Sequence, residues 1–225
     1  MVTGSRNKNL RISVRPFESV KVDVPAGISL KSAEKFVLQK KDWIHKSLEK
    51  IRSIESRHTV FTENTGFSTR YHTLVIRKHN KKSLRIDIKK DVIYFFYPDF
   101  VSVTDIRVQK GIRHAVEEAW RIEAKRYLPG RVRELADKFG FSYNRLTVKN
   151  AKSRWGSCSH QNNINLNLQL MRLPESLSDY IILHELVHTI HKNHGRGFWD
   201  KLNTVTGQKA RLLDREMKNY HLNVW

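Results

Sequence analysis

The chain has 225 residues, 39% hydrophobic and 28% charged, with 42 Lys and Arg against 22 Asp and Glu for a formal net charge of +20. That much apolar material fills one sizeable core or two small ones, yet no apolar run approaches the ~18 residues of a membrane span, and Met1-Val-Thr-Gly-Ser-Arg-Asn-Lys leads into no signal-peptide apolar segment. Cys158 is the single cysteine, which excludes an intrachain disulfide and a Cys-rich zinc ribbon; the expected setting is cytoplasmic, and any metal site must rest on histidine.

The first residues alternate: Leu10 to Arg15 and Val20 to Val24 read as short strands, closed by Pro25-Ala26-Gly27. Ser29 or Ser32 then caps a helix whose apolar stripe runs through Ala33, Phe36, Val37, Trp43, Ile44, Leu48 and Ile51. After a polar connector from Ser53 to Gly66, strands are expected at Tyr71 to Arg77, Leu84 to Ile88 and Val92 to Tyr97. The order Leu-Arg-Ile, strand, Pro, helix occurs from Leu10 and again from Leu84, an internal repeat. Ser102 to Phe139 has helical spacing, with Pro129-Gly130 either a break or the start of a further helix.

Leu146-Thr147-Val148 reads as a strand, and Asn163 to Leu170 alternates strictly, apolar on one face and amide on the other. That strand is either an interior one or an edge to which an extended peptide could add. Leu173-Pro174-Glu175-Ser176 opens the next helix, with Ile182, Leu183, Leu186, Val187 and Ile190 directed to a core. The expected division is a β-rich region with one helix over residues 1–100 and a metal-binding catalytic domain over 101–225. The oligomeric state is not legible.

His184-Glu185-Leu186-Val187-His188 lies in that last helix. Histidines four apart share a face, about 6 Å apart along the axis, so both imidazoles reach one ion, while Glu185 is suited to take a proton from water at the metal. A third ligand is needed. His191 would lie about 10 Å beyond His184 on a continuing helix. His194 is better placed, because Asn193 and Gly195 tolerate left-handed backbone and let the chain swing back. Glu216 and His221 are the remaining candidates, and His221 is also a candidate oxyanion donor. Burying this polar set without partners would cost several kcal/mol, which coordination resolves.

Other residues read as structural. Cys158 with His160 is weak evidence for a thiol nucleophile; Arg154 and Trp155 either line the cleft or, the commoner arrangement, form a core pair with Arg on the Trp face; Phe198 and Trp199 anchor the loop carrying His194. The histidines at 45, 58, 72, 79 and 114 are expected at the surface.

Ser153-Arg154-Trp155-Gly156-Ser157-Cys158-Ser159, the alternating strand, Leu173-Pro174, the His184 to His188 block, Asn193-His194 and Phe198-Trp199 together resemble the YgjP-like metallopeptidase domain, a relative of the SprT-like zincins. The resemblance spans most of the chain. It implies an α+β zincin-like domain with an active-site helix on a small mixed sheet, Zn2+ held by His184, His188 and His194, and Glu185 as catalytic acid and base. His191 stands where the metzincins carry glycine, which places the chain outside that group. The expected function is zinc-dependent hydrolysis of peptide bonds in a peptide or protein substrate. The charge, spread through all thirds of the chain, motivates a rival: a nucleic-acid-associated binding protein with a structural zinc, or a protease acting on nucleoprotein.

Overall fold

The structure is a computed structural model, and it describes residues 2–5, 9–14, 20–55 and 59–222. His58 lies outside the described residues. Contacts divide the chain into Met1–Thr59 and Val60–Asn223, so the expected boundary at residue 100 falls inside the second unit.

The first unit holds β1 (Val2–Ser5), β2 (Arg11–Ser13), β3 (Lys21–Pro25), α1 (Leu30–Gln39) and α2 (Lys41–Glu55). The central strand β3 pairs parallel with β1 and antiparallel with β2. Alternation on β3 buries Val22 and Val24, which meet Ala33 of α1 in a small core completed by Leu10, Ile12, Ile28 and Val37. Ser29 caps α1 through its hydroxyl, 3.2 Å from the Ser32 amide. The single helix expected here is two helices. Lys40 leaves helical geometry (φ −99°, ψ 12°), its amide shared between the Phe36 and Val37 carbonyls, and Trp43 beyond the break is half-exposed rather than in the stripe.

The second unit opens with β4 (Thr73–His79), β5 (Arg85–Lys89), β6 (Val92–Pro98) and the long helix α3 (Ile106–Phe139). Strand β6 is central, parallel to β4 and antiparallel to β5. Leu74, Ile76, Ile93 and Phe95 share the buried face. Gly111 lets α3 approach: a Cβ there would stand 2.8 Å from the Phe95 ring. Pro129 sits inside α3 and does not end it; the stop comes at Gly140, whose left-handed backbone (φ 71°) returns its amide to the Ala136 carbonyl. His72, expected at the surface, is buried with its Nδ1 2.7 Å from Glu123 Oε1 on α3.

Then come β7 (Arg145–Lys149), β8 (Gly156–Cys158), β9 (Asn163–Asn167), a 3₁₀ turn (Leu168–Arg172), α4 (Glu175–Val187), α5 (Arg196–Val205) and α6 (Ala210–Met217). The repeat expected twice therefore occurs three times: each sheet has its third strand in the centre, parallel to the first and antiparallel to the second. Strand β9 ends three residues earlier than its alternation suggested. Asn167 turns inward, donating to the Ala151 and Arg154 carbonyls at 2.7 and 2.9 Å and accepting from the Gln169 amide at 3.1 Å, which starts the 3₁₀ turn. Because β9 is flanked by β7 and β8, it offers no edge to a peptide. Among the described strands of this sheet the edge nearest α4 is β8, a strand that its own short sequence did not announce.

Candidate metal centre

Helix α4 places the site because its first turns are held by the core. Leu177, Ile181, Ile182, Leu183, Leu186 and Val187 are buried around it, fixing its rotation. His184 and His188 then share one face, and the two rings stand 4.9 Å apart. The helix ends at His188, where the Thr189 hydroxyl donates to the Leu186 carbonyl at 2.7 Å and the His191 amide to Val187 at 2.9 Å. The chain returns without left-handed backbone at Asn193 or Gly195, contrary to the expected device. The early stop also leaves Ile190, expected in the core, 54% exposed. Lys192 holds the returning loop by donating to the Ser159 carbonyl at 3.0 Å and to Asn162 in the turn between β8 and β9.

The return brings His194 Nε2 to 3.1 Å from His184 Nε2 and 3.2 Å from His188 Nε2. Nitrogens each about 2.0–2.1 Å from one ion at tetrahedral angles stand about 3.3 Å apart, so the spacing fits a metal. His188 Nδ1 donates to the His191 carbonyl at 2.9 Å, which leaves the Nε2 lone pair free toward the cluster. Burial first, then His188 and His194, lowers the His184 pKa to about 3; burial likewise lowers that of His188. Both rings are therefore unprotonated donors at neutral pH. Phe198 of α5, fully buried, lies 4.9, 4.6 and 4.6 Å from the three histidine rings and sets their packing.

Glu185, the next residue on α4, is 5% exposed, and its Oε2 has no hydrogen-bond partner. Gly156 of β8 makes room for it: a Cβ there would stand 2.6 Å from Glu185 Oε1 and Cγ. Burial, opposed by Arg154, raises its pKa to about 8. An orphaned buried carboxylate is costly, and a cation beside it removes that cost. The cradle predicts that Gly156→Ala keeps the fold, measured by circular dichroism and thermal unfolding, while peptide hydrolysis falls at least tenfold because Glu185 must move by several tenths of an ångström. Undiminished hydrolysis would remove Gly156 from the site.

These two groups give the metal-free protein a pH signature. The folded pKa of His184 lies below its ordinary 6.5, so its contribution to stability is present above pH 6.5 and is lost as pH falls toward 3. The folded pKa of Glu185 lies above its ordinary 4.5, so its contribution is present below pH 4.5 and is lost as pH rises through about 8. His188 shifts in the same direction as His184, so below pH 6.5 the histidines offset or exceed Glu185, and denaturant unfolding of chelator-treated protein is expected to show stability declining from pH 6.5 toward 8, with metal removing that alkaline decline. A decline that persists with metal present would refute the assignment of Glu185.

A cleft of about 310 Å³ adjoins the histidines, lined by Trp155, Gly156, Tyr180, His184, Glu185 and Asp214 among others. Tyr180 stands one turn before His184, which was the signal available in the spacing; its hydroxyl donates to Asp214 Oδ1 at 3.3 Å, and burial followed by Asp214 raises its pKa. Asp214 on α6 had no such signal. Of the two readings for Trp155, the structure has the cleft-lining one, and the guanidinium near its ring, at 5.7 Å, is that of Arg172. Trp199 carries the Arg211 guanidinium 3.5 Å from its ring and meets Phe198 at 5.6 Å.

The remaining candidates stand apart from the cluster. His191 gives only its carbonyl to His188, and its ring lies against Gly197. Glu216 is exposed, and His221 offers its carbonyl to Arg172 at 3.1 Å; among the described residues, His184, His188 and His194 form the group whose nitrogens converge closely enough that they could hold a metal ion. Burial raises the Cys158 thiol pKa, the opposite of what a thiol nucleophile needs. No described helix is long and apolar enough to cross a membrane.

The sequence model of the family described as YgjP-like, metallopeptidase domain, matches residues 8–220. Two solved structures are similar over 40% of this chain. One is the metallopeptidase zymogen abylysin of Pyrococcus abyssi, 24% identical, with 92% of that chain covered and a TM-score of 0.36. The other is the metallopeptidase zymogen jannalysin of Methanocaldococcus jannaschii, 25% identical, with 93% covered and a TM-score of 0.37. No curated protein matches the chain. With nearly its whole length matched, the chain belongs to the YgjP-like metallopeptidase domain family, whose substrates are peptides or proteins.

Proposed function

We propose that this metallopeptidase is zinc-dependent, that His184, His188 and His194 hold the ion, and that Glu185 is the general base and acid. The observation that carries the reading is the buried, unpartnered Glu185 Oε2 one residue from a group of three convergent imidazole nitrogens. An all-imidazole set with no cysteine suits zinc among the common divalent ions, and three protein ligands match a catalytic site with one open position rather than a closed structural one. That count favours hydrolysis over a binding protein with a structural zinc. When bound, the ion supplies Lewis acidity, polarising a carbonyl and bringing the pKa of water toward neutrality.

The chain's own residues do the rest. Glu185 takes a proton from the attacking water and passes it to the leaving amine nitrogen, the carboxylate held in place by Gly156. The His188 to His191 hydrogen bond and the Phe198 ring keep the three nitrogens converged. Strand β8 is the edge beside Glu185, so an extended substrate can pair with its backbone while side chains enter the cleft at Trp155 and Tyr180. Metal analysis of purified protein, paired with hydrolysis of unstructured protein substrates before and after chelation, tests the reading: stoichiometric zinc and chelator-sensitive cleavage are expected. Cleavage that survives complete metal removal would refute it.

A further inference from the structure

The sheet β4-β6-β5 has a second face that the peptidase reading does not use. Register puts Tyr94 and Phe96 of the central strand on that face, with Arg77 of β4 and Arg85 of β5 both opposite Phe96, Asp87 opposite Tyr94, and Lys89 opposite Val92. This is the side away from the buried Leu74, Ile76, Ile93 and Phe95. A water-facing side ordinarily carries polar residues at the centre of its middle strand; here it carries two half-buried aromatic rings. They are stacked, centroids 6.2 Å apart and planes 14° from parallel, and the Arg85 guanidinium lies 5.4 Å from the Phe96 centroid.

The surroundings are cationic. Seven Lys and Arg stand against two Asp from Tyr71 to Pro98, and Arg77 and Lys89 are exposed. Each side of this chemistry excludes a class of occupant. A purely apolar partner would strand the cations, an acidic peptide would satisfy the cations and leave two aligned rings unused, and a duplex keeps its base faces stacked inside. One polynucleotide strand uses both features, its bases stacking on the rings and its phosphates meeting the flanking cations.

Asp87 decides which kind of strand. Its Oδ2 is taken by Arg85, and the residue stands opposite Tyr94 in the strand register. A carboxylate repels the phosphates of either kind of strand alike, but a ribose can donate its 2′-hydroxyl to the carboxylate and a deoxyribose cannot. The geometry points to this face as a binding site for single-stranded RNA, with bases on Tyr94 and Phe96, phosphates on Arg77 and Lys89, and a ribose hydroxyl on Asp87.

The test is fluorescence anisotropy on the full chain with an oligouridylate of about a dozen residues. Binding is expected to weaken roughly tenfold between ~50 and ~200 mM salt. Tyr94→Ala is expected to weaken it roughly tenfold, and the exposed pair Arg77→Glu with Lys89→Glu at least as much, with thermal unfolding and bound metal unchanged in the charge variant. Absence of binding at ~50 mM salt would overturn the proposal, as would full affinity in either variant. Equal affinity for oligothymidylate overturns the ribose assignment, and equal affinity for duplex RNA or polyglutamate overturns the single-stranded one. Because the readout is binding alone, its failure leaves the peptidase reading standing, and the converse holds as well.

Discussion

Glu185→Gln is expected to retain the metal and the fold while hydrolysis falls by on the order of 10²–10⁴-fold, the range for removing a positioned general base. The amide has the same shape as the carboxylate and fits the Gly156 cradle, so packing on β8 is kept. It cannot accept a proton from water and return it to a leaving amine, so the loss falls on the chemical step. A conservative Glu185→Asp variant shortens the side chain by one methylene inside the cradle and should lose activity through misplacement instead. The split is measurable: Gln should lower kcat at all pH values, and metal content should match the native protein. Unchanged turnover in Glu185→Gln would end the proposed role, whatever the metal content.

Removal of the metal is the second large effect. A ligand present at about 1,000 times its Kd stabilises a fold by about 4 kcal/mol, which in a chain of this size is a change in Tm on the order of 10 °C. Chelation is therefore expected to lower Tm by that order, and added zinc to restore it. His194→Ala should lose stoichiometric metal and with it both the chelator-sensitive shift and hydrolysis, since His194 is the residue that lies within 3.2 Å of both other histidines. His191→Ala separates the readings. Its ring is outside the cluster and only its backbone carbonyl serves His188, so metal and most activity should remain. Metal retained by His194→Ala at native stoichiometry, or lost in His191→Ala, would redraw the site.

The local pattern of this protein carried its chemistry further than its architecture. The four-residue spacing of His184 and His188 puts both rings on one face of any helix, and the apolar residues around them fix which face, so the first two candidate ligands follow from 3.6 residues per turn, and Glu185 from its residue type beside them. Strands β4 to β6 and β9 were likewise legible, because a half-buried strand writes its two faces in alternation. What stayed hidden depends on contacts distant in sequence. Strand β8 is three residues with no alternation to read, and it exists because β9 pairs with it; its position at the edge, and that of β9 in the centre, is a property of the sheet. The third repeat is hidden for the same reason: β2 is equally short but lies in an alternating stretch, whereas Gly156-Ser157-Cys158 has no alternation.

The remaining decisions were tertiary as well. Gly156 looks like any glycine in a polar block until the fold brings the Glu185 side chain against it, and Asp214 has no sequence relation to Tyr180, 34 residues away, that would announce their hydrogen bond. His194 could be named from its position after a helix end, but the expected left-handed turn is absent; hydrogen bonds from Thr189, His191 and Lys192 steer the loop instead. The sequence by itself determined which side chains could bind a metal and move a proton, because residue type and helical period are local. Only the tertiary structure decided that three nitrogens meet, that the carboxylate beside them is buried without a partner, and which strand is the sheet edge beside α4, because burial and convergence are sums over residues the chain keeps far apart.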